Sequence, residues 1–233
     1  MITSRTGSGS RMRTLTLVLL ALLAGESAAQ GVPGKNVQLD VTVASVTRQA
    51  DTTTVTYVLS NRTTSAEPLF AFTVDAPSVI TVSPPLPLDE WMVWTQYRGL
   101  AVARWSILSD TRVAPGAGSP PLTFRALGVP GIVDARVTGH FERPVYTDAG
   151  DAPVDDDPFL GHSSVMRVLG VVVPPPGSTP RDLTARVSGL VTEACALAWI
   201  DNHGICNALQ SKLTAAMQAF DQGNTSVALS ALG

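Results

Sequence analysis

Lysine is almost missing from this chain of 233 residues: Lys35 and Lys212 are the only two, and the formal net charge is −3. Arginine supplies the other cations without forming a basic stripe, so nucleic-acid binding has no electrostatic footprint. Histidine and cysteine are also scarce, at three and two residues. Charged residues make up only 15 % against 45 % hydrophobic, a balance that suits a compact domain better than a disordered tail. No apolar run approaches the ~20 residues a membrane-spanning helix needs. The chain contains no Gly-x-Ser-x-Gly elbow, His-Glu-x-x-His pair or Walker loop, so the common hydrolase, metalloprotease and nucleotide signatures are missing.

What is present begins with an export signal. Arg5, Arg11 and Arg13 precede the apolar stretch Leu15–Leu23, and Ser27-Ala28-Ala29 supplies small residues before Gln30. This charge, apolar core and small-residue order predicts a signal peptide over residues 1–29, cleaved before Gln30. Met12, directly before the apolar core, is an alternative start. No cysteine lies near the cleavage point, which disfavours a lipid anchor. The mature chain, about 200 residues, has room for one or two domains. Its expected place is secreted, at the cell surface or in the periplasm, without a membrane span.

From Asn36 to about Val173 the pattern alternates with period two. Val37, Leu39, Val41 and Val43 interleave with Gln38, Asp40 and Thr42, and Val55, Tyr57 and Leu59 repeat the pattern after a turn at Gln49-Ala50-Asp51. Such runs bury one face of a strand and leave the other in water. Further strands are predicted at Phe70–Val74, Ser78–Val82, Trp91–Tyr97, Leu100–Leu108, Leu122–Ala126, Ile132–Phe141 and Val165–Val173. Pro- and Gly-rich separators stand between them, among them Val129-Pro-Gly131. Short strands without helical crossovers predict an antiparallel, immunoglobulin-like β-sandwich over residues 30–173.

A linker of consecutive prolines follows at residues 174–180, and the period then changes to 3.6. Thr179-Pro180-Arg181-Asp182 has the form of a helix start, with Thr as cap, Pro at the first position and an acid three residues on. One apolar stripe runs from Leu183 to Ala198, broken by Asn202-His203-Gly204. A second runs from Ile205 to Phe220 and ends at Gln222-Gly223, and a short third helix starts near Ser226 after Asn224 or Thr225. The fold class is therefore mainly β with a small helical module over residues 181–233.

Cys195 falls near the end of the first helix and Cys206 at the start of the second. Behind an export signal the pair reads as a disulfide stapling the hairpin, with buried free thiols as the alternative. A metal site lacks ligands, since only His203 is near and zinc normally takes four. The residues Leu183–Val191, Cys195, Gly204-Ile-Cys206, Leu209, Lys212-Leu213, Ala216, Phe220 and Gly223-Asn224 resemble the FIMAH module, a small extracellular helical unit of secreted bacterial proteins. The match covers about 50 residues, and the family's phenylalanine-isoleucine and lysine-histidine segments would lie beyond Gly233, as in a truncated module. The resemblance implies a tether, spacer or interaction unit and transfers no catalytic residue.

Three further sets carry candidate chemistry. Trp91, Trp94 and Tyr97 lie on one strand; core packing is the plainer reading for such rings, Trp91 and Trp105 above all, and aromatic surface for a sugar or protein ligand is the alternative. Asp151, Asp155, Asp156 and Asp157 are clustered oxygen donors of the kind Ca²⁺ takes, although prolines interrupt the loop and solvated carboxylates are the plainer reading; no other cofactor is implied. His162 with these acids would be the core of a secreted hydrolase, while His140 reads as a solvated strand histidine. Taken together, the sequence predicts an exported, non-enzymatic binding or adhesion accessory with a protein or polysaccharide partner at the cell surface. A secreted hydrolase and a truncated gene remnant are the alternatives.

Overall fold

A computed structural model of the chain describes residues 30–31, 37–86, 90–107, 113–140 and 163–232. The described residues up to Val173 form ten strands: β1 Gln30–Gly31, β2 Leu39–Gln49, β3 Thr52–Asn61, β4 Leu69–Asp75, β5 Val79–Ser83, β6 Trp91–Tyr97, β7 Leu100–Ile107, β8 Leu122–Leu127, β9 Val129–Gly139 and β10 Ser163–Val172. They pair antiparallel into two sheets, ordered β1-β2-β3-β8-β5 and β10-β9-β4-β7-β6. The alternation itself explains why they form. In β3, Thr53, Val55, Tyr57, Leu59 and Asn61 are buried while the residues between them face outward.

This is the expected immunoglobulin-like sandwich, argued from connectivity. The neighbours β2-β3-β8 stand where strands A, B and E stand in an immunoglobulin domain, and β10-β9-β4 stand where G, F and C do. One departure lies in the middle of the chain. β5 takes the D-strand edge of the first sheet before the chain returns to build the β6–β7 hairpin on the second.

The core between the sheets is aromatic at its centre. Tyr57 meets Phe72 edge-on at 5.6 Å and stacks on Phe124 at 6.2 Å, while Phe72 stacks on Trp105 at 6.1 Å. Two polar tips cross from one sheet to the other. Tyr57 Oη on β3 donates to the Leu169 carbonyl on β10 at 2.6 Å, and Trp105 Nε1 on β7 donates to the Ser83 carbonyl on β5 at 3.1 Å. Burial pushes the Tyr57 phenol far above its ordinary value, so it remains a protonated donor at any physiological pH.

Val129-Pro130-Gly131, expected as a separator, instead lies inside β9 opposite Val172, Val171 and Gly170. The ladder with β4 covers only Ala135 to Gly139 of β9, so the proline sits where β9 has a neighbour on one side alone, a position a strand tolerates. Gly131 is there for close approach, since a Cβ on it would lie 2.7 Å from both methyl groups of Val172.

The residues from Pro174 onward form a second compact unit, separate from the one that ends at Val173. It comprises α1 Pro180–Ala196, α2 His203–Asp221 and α3 Thr225–Leu232. The reciprocal capping box at Thr179 and Asp182 is formed, with Pro180 at the first helical position. The break after α1 comes earlier than the apolar stripe implies. Leu197 caps the helix, Ala198 adopts φ +55°, and the Ala198 and Trp199 amides donate back to the Cys195 and Ala194 carbonyls. That pair of bonds is a Schellman motif. Asn202-His203-Gly204 is consequently a start and not a break: the Asn202 side chain caps α2 by accepting from the Gly204 and Ile205 amides. Gly223 ends α2 by the same motif as Ala198, and the Asn224 side chain then caps α3. Ala216, Ala219 and Ala228, packed against Phe220, Ala231 and Leu232, close α3 onto α2.

Replacing Tyr57 with Phe leaves the ring in place and the buried Leu169 carbonyl without its donor. The expected loss is about 1–3 kcal/mol of sandwich stability, read as a lower denaturant midpoint in the near-ultraviolet signal of the core aromatics.

Candidate functional site

The helical unit carries one covalent feature. Cys195 and Cys206 are joined, with their Cα atoms 6.2 Å apart, and no free cysteine remains. The last turn of α1 and the first turn of α2 bring them together, as the capping residues on either side of the short connection dictate. Cys206 is buried, as are Val191 and Ala194 of α1 and Leu213, Ala216 and Ala219 of α2. At the far end Arg181 Nε reaches Asp221 Oδ1 at 3.0 Å. Both of those groups are exposed, so the pair contributes little.

The aromatic candidates divide between two faces of the second sheet. Trp91 is buried and belongs to the inter-sheet core, as Trp105 does, which removes Trp91 from any binding face. Trp94 and Tyr97 lie on the opposite, outer face and are half-buried. The reason is register. Ala103 and Trp105 point into the core, so Arg104 between them points outward, and Arg104 pairs with Trp94 on β6 and Thr73 on β4. The Arg104 guanidinium lies 4.0 Å from the Tyr97 ring centre and 5.7 Å from that of Trp94, and it donates to Thr73 Oγ1 at 2.9 Å. Arg104 is itself only 5 % exposed. This is a clip in which a desolvated cation is held against π faces.

Tyr97 also has Arg98 at 5.5 Å. Arg98 and Gly99 turn the β6–β7 hairpin with φ +54° and +76°, the two positive values a type I′ turn requires. With the Arg104 and Arg98 guanidinium groups both close to its ring, Tyr97 is the more fully engaged of the two, and Trp94 meets Arg104 at the longer distance. Arg104 is the residue that sequence reading overlooked. Its alternation with Trp105 was visible, but its neighbour across the strand gap was not.

Next along the same face stand Asp75 on β4 and Asp134 on β9, with Arg136 nearby. Burial, then repulsion from Asp134, holds the Asp75 carboxyl above its ordinary value, and Arg136 opposes the shift. Asp134 accepts from Arg167 Nη1 at 2.7 Å on the exposed surface. Among the described residues no group of three or more His, Cys, Asp or Glu could hold a metal ion. Asp151, Asp155, Asp156, Asp157 and His162 lie outside the described residues. His140, expected as a solvated strand residue, instead follows the end of β9 and is half-buried, its ring 6.0 Å from that of Phe70, and His203 opens α2 on the exposed surface. No described helix is long and apolar enough to cross a membrane, which leaves strands unaddressed.

Removing both cysteines as Cys195→Ser/Cys206→Ser releases a loop of about twelve residues. The expected cost is roughly 3 kcal/mol, seen as earlier thermal loss of the helical circular-dichroism signal. Asp75→Asn has the opposite sign. A carboxylate whose native value is raised costs stability when charged and costs nothing below its unfolded value. The variant is therefore expected to melt slightly higher than the wild type at neutral pH. The difference should close as pH falls through the raised native value towards the ordinary one.

No family model and no curated protein matches the chain. Among solved structures it is similar to an uncharacterised protein from Nocardia farcinica described as having an immunoglobulin-like fold. The two are 16 % identical with a TM-score of 0.31, over 59 % of this chain and 99 % of that one. A likeness of that size carries no functional weight, and the sandwich assignment rests on the strand pairing described above.

Proposed function

We propose that this is an exported, non-catalytic bacterial accessory protein whose sandwich binds a polysaccharide or protein partner outside the cell or at its surface. In this reading the helical unit, with its resemblance to FIMAH, is a tether or interaction module. The single observation that carries it is the Cys195–Cys206 bond. Such bonds persist in oxidising compartments and are rare in cytosolic proteins, in keeping with the signal-like residues 1–29. Trp94 supports the binding role: it is half-buried on an outer face and backed by the Arg104 clip, so its ring is held in one orientation at little further entropic cost.

The test is retention of the mature full chain on cell-wall material, purified polysaccharides and immobilised secreted proteins, with and without calcium. Trp94→Ala is expected to weaken retention about tenfold, the scale of one lost aromatic contact, while Ile80→Ala, an exposed residue on β5 of the other sheet, leaves it unchanged. Calcium dependence abolished by substituting Asp155, Asp156 and Asp157 would assign that loop its ion. Equal retention of wild type and Trp94→Ala would remove the aromatic site. Turnover lost in His162→Ala would replace the accessory reading with a hydrolase.

A further inference from the structure

The outer face of the first sheet carries an order that its core does not require. Register sets Ser45, Thr56, Thr123 and Ser83 side by side across β2, β3, β8 and β5. The next row, two residues along, is Thr47, Thr54, Arg125 and Thr81. A third row begins with Gln49, Thr52 and Leu127. Their sequence neighbours Val55, Phe124 and Val82 point into the core, and the rows themselves are exposed or half-buried. The chain has 19 acidic residues, yet none falls in these rows, and Arg125 is their one charge. A soluble surface normally has about a quarter to a third of its residues charged.

We propose that this face is a binding surface separate from Trp94, and that its ligand is an extended neutral polysaccharide. Each serine or threonine hydroxyl both donates and accepts, as each sugar hydroxyl does, so the two surfaces can satisfy one another without burying a charge. Strands about 4.8 Å apart and rows roughly 6.7 Å apart offer one hydroxyl per strand to a chain of sugars lying across the sheet. Threonine is stiff at χ1, so ordering it on binding costs little. Thr56 Oγ1 and Thr123 Oγ1 already bond to each other at 3.0 Å, which orients both while leaving each further hydrogen-bonding capacity. Arg125, between Thr54 and Thr81, adds donors to ring and hydroxyl oxygens.

Other partners fit this face less well. Nucleic acid needs a basic stripe, and one arginine is not one. Protein interfaces favour aromatic residues and methionine and are poor in serine, whereas these rows contain neither aromatic nor methionine. A rigid flat lattice such as ice meets a sheet that twists by about 20–25° per strand, which a flexible polymer can follow. Ile80 stands in the bulge of β5 between Val79 and Thr81, outside the rows.

The experiment is affinity electrophoresis of the mature full chain in native gels cast with hydroxyethylcellulose, mixed-linkage β-glucan or dextran. The wild type is expected to be retarded by at least one of them, and to remain so at high salt, because no ion pair carries the contact. Thr47→Val/Thr54→Val keeps side-chain shape and removes two facing hydroxyls. It is expected to melt with the wild type and to bind about tenfold more weakly. Should it melt lower, Arg125→Gln is read in its place, with an expected loss of about fivefold. Wild-type affinity in the variant that is read overturns the proposal, as does a wild type retarded by none of the three polymers or only at low salt. Retardation lost in Trp94→Ala and kept in Thr47→Val/Thr54→Val overturns it too, while leaving the Trp94 reading standing. Retardation kept in Trp94→Ala and lost in the valine variant supports it whatever Trp94 binds.

Discussion

The sandwich depends on two hydrogen bonds made by aromatic side chains that each start in one sheet and end in the other. Tyr57 reaches the Leu169 carbonyl from the first sheet, and Trp105 reaches the Ser83 carbonyl from the second. Apolar contact alone is non-directional, so two sheets pressed together by Val, Leu and Phe side chains have several near-equivalent offsets. A buried donor with a single acceptor does not, because any slip leaves both groups desolvated and unpaired. Both acceptors lie on edge strands, β10 and β5, so each bond also holds an outermost strand onto the opposite sheet.

The helical unit solves the opposite problem. It has few large apolar side chains to bury, and its tightest packing, around Ala216, Ala219 and Ala228, is made of alanine. Chain restraints compensate for this thin core. A disulfide closes the hairpin, Schellman turns end α1 and α2, and Thr179, Asn202 and Asn224 cap the starts of the helices. Restraints of this kind act largely by limiting the unfolded chain, which is how a unit this small holds a defined shape.

These two kinds of order frame the functional reading. A rigid sheet can hold an aromatic ring such as Trp94 in a fixed orientation because its neighbours Arg104, Tyr97 and Thr73 are themselves locked. The face that holds it is mixed in character, with arginines near the β6–β7 hairpin and the Asp75–Asp134 carboxylates beside them. In the proposed binding role, such a surface suits a partner recognised by stacking and hydrogen bonding more than one captured by net charge.

Much of this was legible in the chain itself. Alternation at Val55, Tyr57 and Leu59 identified a strand with one buried face, and Thr179-Pro180-Arg181-Asp182 marked a helix start. The cysteine spacing across a helix break indicated a stapled hairpin. These are local signals, set by side-chain periodicity and by backbone chemistry within a few residues. Alternation also favoured Trp91 as a core ring, but Pro130 in β9, Ala198 as a left-handed cap and the Trp94–Arg104–Thr73 row were not legible. Each depends on which strand or helix lies alongside: Pro130 is acceptable because β4 has already left β9, and Arg104 meets Trp94 only through the β6–β7 register. Sequence by itself determined the two kinds of secondary structure, their order and the order of their faces. Tertiary structure alone decided what lies beside each aromatic, because strand pairing is non-local and periodicity says only that a face exists, not what it meets.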